Sequence, residues 1–168
     1  NAIRLCAAVG AAVDGVLLMT YEWGHAYSPP MAVAPVDQVR RVVEYAVSRI
    51  DPAKINLGIP NYGYDWTLPF TEGAPRARTI GNIEAVQQAV EKGAEIYFDE
   101  TAQAPYYFYV EDGVTHEVWF EDVRSISSKF ALIEEFGLLG AGYWQLMRLF
   151  RANWILAAET FHIEGSSM

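Results

Sequence analysis

Cysteine is almost absent from this sequence, which contains a single one, Cys6. One cysteine excludes an intramolecular disulfide and any zinc or iron–sulfur site built from several thiolates. The three histidines show no ligand spacing with carboxylates, and the sequence contains neither Gly-x-Gly-x-x-Gly nor Gly-x-Ser-x-Gly. We therefore expect no metal, no cofactor and no serine nucleophile.

Long apolar runs and basic stretches are missing as well. No apolar run reaches the roughly 18 residues of a membrane-spanning helix, and the first residues lack the basic region of a signal peptide. Lys and Arg number 12 against 21 Asp and Glu, for a formal net charge of −9. An acidic chain without a basic stripe argues against nucleic-acid binding. We expect neither a membrane nor a nucleic acid as a partner.

The composition instead favours one folded domain. The 168 residues are 52% hydrophobic and 14% aromatic, which is enough to bury a core and argues against disorder. Apolar residues at helical spacing predict helices at 3–13, 37–50, 83–92 and 151–162, and a further helix that begins at Asp122 or Ser125 and ends at Glu135. Apolar and aromatic runs predict strands at 14–21, 54–60, 95–99, 104–110, 116–120 and 138–143.

The order of these elements predicts an α/β fold. Alternating strands and helices imply right-handed crossovers and a parallel sheet. Residues 66–119 interrupt the alternation with a helix and three strands, and Asp112-Gly113 is typical of a hairpin turn. We therefore divide the chain into residues 1–65, an α+β insertion at 66–119, and residues 120–168.

Aromatic and acidic residues follow all three strands of the predicted parallel sheet. Residues 21–23 (YEW), 62–66 (YGYDW) and 143–144 (YW) occupy these positions. In parallel sheets the ligand site lies at the carboxyl ends of the strands. Aromatic rings stack on the faces of sugar rings, and carboxylates and hydroxyls bind sugar hydroxyls. This pattern favours a carbohydrate cleft, with an ordinary aromatic core as the alternative.

Four motifs carry a resemblance to a known family. MTYEWG at 19–24, PPMAVAP at 29–35, GIPNYGYDW at 58–66 and GYWQL at 142–146 resemble, in order and spacing, the C-terminal part of glycoside hydrolase family 18 domains. The resemblance is greatest to bacterial spore-associated glucosaminidases that often carry LysM modules. It implies a (β/α)8 TIM barrel, of which this chain would hold strands six to eight, with the insertion after strand seven.

The resemblance also implies roles for individual residues. Met19 and Tyr21 match the family's Met-x-Tyr-Asp motif, whose Tyr hydroxyl helps to hold the N-acetyl group of the substrate. Glu22 replaces the usual Asp, and Trp144 matches the Trp under the sugar at the scissile bond. Residues 120–122, with Ser125 and Lys129, resemble the segment that enters the helix before strand eight. The implied substrate-binding residues are Met19, Tyr21, Glu22, Tyr62, Tyr64, Asp65 and Trp144.

Two departures from the family pattern matter for function. Asp65 stands where most chitinases have Arg, which weakens the case for chitin itself. The motif Asp-x-x-Asp-x-Asp-x-Glu, which ends in the family's general acid, does not occur in these 168 residues. No residue here is a good proton donor, because Glu22 fits a sugar-binding or structural role better. We therefore assign no catalytic residue and predict that the isolated chain is inactive.

The main hypothesis is part of a glycosidase that cleaves N-acetylglucosamine-containing glycans, such as spore peptidoglycan or chitin-like polymers, by substrate-assisted retaining hydrolysis. A non-catalytic carbohydrate-binding module is the alternative, and a structural or interaction domain is a third. The open edges of a partial barrel predict self-association or pairing with an N-terminal barrel portion. The resemblance implies a spore-associated or cell-envelope location in a bacterium.

Overall fold

The computed structural model describes residues 2–73 and 75–162. The helices in this part of the chain are α1 Ala2–Ala12, α2 Val36–Val47, α3 Asn82–Glu91, α4 Val123–Phe136 and α5 Arg151–Thr160. The strands are β1 Val16–Leu18, β2 Ile55–Pro60, β3 Tyr62–Thr67, β4 Arg78–Gly81, β5 Tyr97–Asp99, β6 Ala104–Glu111, β7 Val114–Trp119 and β8 Gly140–Trp144. No helix among these residues has the length and apolar character that a membrane crossing requires.

One sheet is parallel, with the strand order β1-β2-β8. Leu18 pairs with Leu57, and Pro60 pairs with Trp144, so the strands end near one edge. The core beneath this sheet is aliphatic, as the apolar runs predict, because strands covered by helices need continuous hydrophobic sequence. It consists mainly of Val39 and Val43 of α2, Ile55, Leu57 and Ile59 of β2, and Ile126, Phe130 and Ile133 of α4.

The second sheet is antiparallel, with the order β4-β3-β7-β6-β5. Helix α3 covers one face through Ala85 and Ala89, which pack with Ile80, Tyr107 and Val118. The other face buries Tyr62, Tyr64 and Trp66 of β3 against Ala26, Ala32 and Val33 of the long loop after β1. This sheet begins at Tyr62, ahead of the predicted insertion boundary at 66, because β3 pairs with β4 and β7 rather than ending the parallel strand.

Local turn and cap chemistry explains several element ends. Asp112 and Gly113 have φ values of 49° and 77° and form the predicted turn between β6 and β7. Gly137 closes α4 in the left-handed conformation, at φ 62°. The prediction of Asn82 as a helix cap is wrong, because Gly81 is the cap residue of α3. The buried Asn82 side chain instead accepts a hydrogen bond from the backbone N–H of Glu121.

A buried ion pair joins α4 to the chain that enters it. Lys129 Nζ lies 2.9 Å from Glu121 Oε2, and both side chains are 0% exposed. Ser125 Oγ donates to the same oxygen at 2.6 Å. Burial raises the pKa of Glu121, against the opposing effect of the Lys129 charge. This cluster lies where the antiparallel sheet passes back into the parallel unit, and the Lys129 cation and the Ser125 hydroxyl offset part of the cost of burying the Glu121 carboxylate.

Candidate functional site

The ends of β1 and β8 meet the first strand of the antiparallel sheet at a cleft of about 250 Å³. Its lining residues are Tyr21, Glu22, Tyr62, Tyr64, Arg76, Thr79, Trp144 and Gln145. Five of the residues that the sequence marks as substrate-binding therefore lie together, although they come from three separate segments. The cleft is formed where the two sheets adjoin.

Glu22 lines this cleft and occupies an unusual backbone position. Its φ of 70° lies in the left-handed region, which is uncommon for residues other than glycine. The next two residues are held by backbone hydrogen bonds, from Trp23 to Val33 and from Gly24 to Ala32. Residues in such conformations concentrate at functional sites. Here the conformation directs the carboxylate of Glu22 toward β3.

Two phenols hold that carboxylate. The Tyr62 and Tyr64 hydroxyls both donate to Glu22 Oε1, and the Tyr64 bond measures 2.9 Å. The two rings pack edge to face with centroids 5.7 Å apart. Burial, and then the hydrogen bond to Glu22, raises the pKa of both phenols well above the usual value. Both groups are thus protonated donors across the physiological range, and each oxygen keeps lone pairs for a ligand hydroxyl.

Tyr21 owes its position to a glycine on the neighbouring strand. A Cβ at Gly58 would lie 2.8 Å from Tyr21 Cε1 and would also clash with the carbonyl oxygen of Leu18. The absence of that Cβ lets the ring lie against β2. Thr20 Oγ1 donates to the Gly58 carbonyl at 3.0 Å and ties the chain to the same place. Burial, followed by the nearby charge of Glu22, raises the pKa of the Tyr21 phenol.

Trp144 forms the opposite, open side of the cleft. It is the last residue of β8, and its carbonyl oxygen accepts a hydrogen bond from the backbone N–H of Asn61 at 2.8 Å. The peptide bond from Trp144 to Gln145 is cis. The residue is 56% exposed. A large exposed indole beside buried phenols is a platform on which an apolar ring face can stack.

Asp65 and Met19 lie outside the cleft, contrary to the prediction. Alternate residues of a strand point to opposite faces, so Asp65 faces away from Tyr62 and Tyr64. Its carboxylate is 2% exposed and accepts hydrogen bonds from Tyr109 at 2.8 Å and from His116 at 2.9 Å. Met19 is 73% exposed and does not line the cleft.

The structure adds cleft residues that the sequence analysis missed, namely Arg76, Thr79 and Gln145. Arg76 comes from an irregular loop whose end is anchored by a hydrogen bond from the Ala77 N–H to the Ala26 carbonyl. Thr79 belongs to β4, a short strand with no clear sequence pattern. Within residues 2–73 and 75–162, no group of three or more His, Cys, Asp or Glu side chains could hold a metal ion.

Comparison with known proteins gives consistent matches to one family. Residues 4–148 match the family described as glycosyl hydrolases family 18. The chain is 47% identical, over 155 residues, to the cortical fragment-lytic enzyme of Bacillus subtilis. The matched region covers 92% of this chain but 36% of that protein. The chain thus spans about a third of the length of that relative.

Solved structures agree with the sequence matches. The Bacillus cereus spore cortex-lytic enzyme SleL is 46% identical with a TM-score of 0.93, over 95% of this chain and 37% of that one. A chitinase from Chromobacterium violaceum is 30% identical with a TM-score of 0.84, over 92% of this chain and 48% of that one. These matches confirm the predicted fold class, the C-terminal part of a (β/α)8 barrel with a small insertion. The chain belongs to the glycosyl hydrolases of family 18.

Proposed function

We propose that this chain is part of a glycosidase that cleaves N-acetylglucosamine-containing glycans, and that its cleft is the substrate-binding wall. The observation that carries the proposal is the meeting of the Glu22 carboxylate, its two phenol donors and the exposed Trp144 indole at the strand ends. Aromatic stacking and hydroxyl recognition are the two requirements of sugar binding, and one cleft offers both.

Each residue has a definite role in this proposal. Trp144 stacks under the sugar next to the bond that is cleaved. The hydroxyl of Tyr21 donates to the acetamido oxygen of that sugar. Tyr62, Tyr64 and Glu22 form a hydrogen-bonded unit that holds the shape of the cleft and receives sugar hydroxyls.

The proposed reaction is substrate-assisted and retains the anomeric configuration. The acetamido oxygen of the substrate attacks the anomeric carbon, while a general acid protonates the departing oxygen. Glu22 does not suit that acid role, because its carboxylate already accepts hydrogen bonds from two phenols. The 168 residues contain no Asp-x-x-Asp-x-Asp-x-Glu motif. We therefore assign the general acid to a segment outside this chain and predict no turnover by the chain alone.

The names of the relatives support peptidoglycan of the spore cortex as the glycan and a spore-associated location. Relatives at 47% identity are called cortical fragment-lytic enzymes. A chitin-like glycan is the second candidate, supported by the likeness to a chitinase structure at 30% identity.

The open edges of the parallel sheet support a protein partner. Within the described residues, β1 and β8 each pair with β2 only. A barrel closes to remove such edges, so we propose that the rest of the barrel pairs with them. Without it, the chain is expected to associate with itself. A clean monomer at high concentration in light scattering would contradict this expectation.

Calorimetric titration with N-acetylglucosamine oligomers tests the cleft. We expect wild type to bind, Trp144→Ala to bind at least about tenfold more weakly, and the control Arg49→Gln, at an exposed position after α2, to bind like wild type. Absence of binding by wild type, or equal binding by Trp144→Ala, would refute the proposed wall.

A second assay separates the enzyme from a non-catalytic binding module, which the missing acid motif keeps as a candidate. Turnover of a chromogenic N-acetylglucosaminide is expected only when the N-terminal barrel portion of a relative is supplied with the chain. Binding without turnover in that mixture would favour the module. Turnover by the chain alone that Glu22→Gln abolishes would show that Glu22 is the proton donor.

A further inference from the structure

Two arginines stand beside the cleft in a chain with a net charge of −9. Arg76 lines the cleft directly. Arg148 lies at its side, where Nη1 would be 3.2 Å from a Cβ at Gly81. Burial and Glu22 raise the pKa of Tyr64, whereas the charges of Arg76 and Arg148 oppose that shift. Both arginine side chains therefore lie close enough to the Tyr64 phenol for their charges to influence its pKa.

Neither arginine has an ion-pair partner in the part of the chain that the structure describes, although the charge of Arg148 helps to lower the pKa of Glu84. Within residues 2–73 and 75–162, no side-chain hydrogen bond involves Arg76 or Arg148, whereas Arg78, two residues after Arg76, binds both Asp65 and Glu84. The carboxylate of the cleft, Glu22, is held by the two phenols and has no ion pair with either arginine. The cleft thus offers uncommitted positive charge to its ligand.

A second recess shares Arg76 with the cleft and lies on the other face of β3, toward which Asp65 points. It measures about 320 Å³, and Arg76 lines it together with Gln88 and His116. Its two acids are already paired, Asp65 with Arg78 at 3.3 Å and Glu111 with Lys92. Arg76 therefore stands between two polar recesses, and the acids of the second recess are already paired with other cations.

We propose that Arg76, assisted by Arg148, binds a carboxylate carried by the glycan, so that the cleft prefers an acidic glycan over a neutral one. A guanidinium presents two parallel N–H donors, which match the two oxygens of a carboxylate. The carboxylate can belong to a lactyl ether on the sugar or to a peptide joined to that ether. This inference rests on the proposed function, because it requires a sugar in the cleft.

Four matched ligands test it by calorimetry on the protein used in the oligomer titration. Di-N-acetylchitobiose is neutral, and N-acetylglucosaminyl-N-acetylmuramic acid differs from it by one lactyl ether. The methylamide of the second ligand keeps the shape without the charge, and its L-alanine amide moves the carboxylate outward by one residue. We expect wild type to bind one of the two acidic ligands about tenfold more tightly than both neutral ones, and the tighter of the two identifies the carboxylate source.

The variant Arg76→Gln is expected to reduce that ratio of affinities toward one, and Arg148→Gln to reduce it partly. Arg49→Gln, at an exposed position after α2, is the matched control and keeps the wild-type ratio. Raising the salt concentration is also expected to lower the ratio in wild type, because a partly exposed charge pair is screened. Circular dichroism checks that each variant is folded.

The outcomes separate this inference from the proposed function. Equal affinity of wild type for acidic and neutral ligands, or a ratio unchanged in Arg76→Gln, overturns the inference while sugar binding stands. If wild type binds none of the four ligands, the proposed function fails as well.

Discussion

The two sheets of this protein contribute different parts of the cleft. The parallel sheet rests on aliphatic side chains, and Ile55, Leu57 and Ile59 of its central strand are all fully buried. The antiparallel sheet is rich in aromatic rings, such as Tyr106 and Trp119, which stack with centroids 4.5 Å apart. The comparison teaches that the parallel sheet, with its aliphatic core, sets the backbone positions at the cleft. The antiparallel sheet, with its aromatic side chains, supplies most of one wall of the cleft.

The two regions also differ in how they bury charge. Lys129 and Glu121, beside the parallel sheet, form a pair from which solvent is excluded on both sides. Asp65, in the antiparallel sheet, is shared among Tyr109, His116 and the half-exposed Arg78. A carboxylate with several donors tolerates the loss of one, whereas a pair with one cation does not. This difference can be tested by removing single partners.

The largest effect is expected for Lys129→Met. The change leaves Glu121 buried without its cation, which costs about 3–5 kcal/mol of unfolding free energy. Urea denaturation measures the loss. Lys92→Met, which breaks an exposed pair with Glu111, is the control and should leave the unfolding midpoint almost unchanged. The double variant Lys129→Met with Glu121→Leu should recover most of the stability. Equal losses for Lys129→Met and the control would show that the pair is not buried.

A smaller loss is expected for Gly58→Ala, in the parallel sheet. The new methyl group would meet Tyr21 and the Leu18 carbonyl, and such overpacking costs about 1–3 kcal/mol. Gly15→Ala is the matched control, because the nearest atom to its Cβ is 3.8 Å away. We also expect Gly58→Ala to weaken sugar binding by displacing Tyr21. Wild-type stability and binding in this variant would contradict the close approach of β1 and β2.

The smallest effect is expected at alkaline pH, in the aromatic region. The pKa values of Tyr62 and Tyr64 are raised above the value of about 10 in an unfolded chain. The folded protein therefore keeps protons that the unfolded chain loses above pH 10. This contribution to stability is complete below that pH and is lost as the pH rises further.

Urea denaturation between pH 8 and 11 measures this decline. The double variant Tyr62→Phe with Tyr64→Phe should decline less steeply than wild type, because two of the raised phenols are gone. An equally steep decline in both proteins would mean that these phenols titrate normally.

Most elements of the fold follow from local sequence patterns. The spacing of Val39 and Val43 predicts α2, and Gly137 marks the end of α4, because each signal depends on neighbours within a few residues. The turn at Asp112 and Gly113 is confirmed for the same reason. The wrong cap at Asn82 shows the limit, since its side chain bonds to a residue far along the chain.

Some residues of the candidate site can likewise be predicted from the sequence, and others cannot. Tyr21, Tyr62 and Trp144 are recognisable as a cluster because each follows an apolar run. The position of Asp65 outside the cleft is not recognisable from the sequence. The alternation of β3 tells which residues share a face but not which face adjoins the cleft. Arg76 carries no local signal, since an irregular loop brings it to the site.

The sequence by itself determined the alternation of strands and helices, the aromatic residues at the strand ends and the family, because these depend on short-range pattern. Only the tertiary structure decided that Glu22 faces two phenols, that Asp65 turns away and that Arg76 lines the cleft with Arg148 beside it. Those features depend on how two sheets with different cores meet, and residues far apart in the chain set that contact.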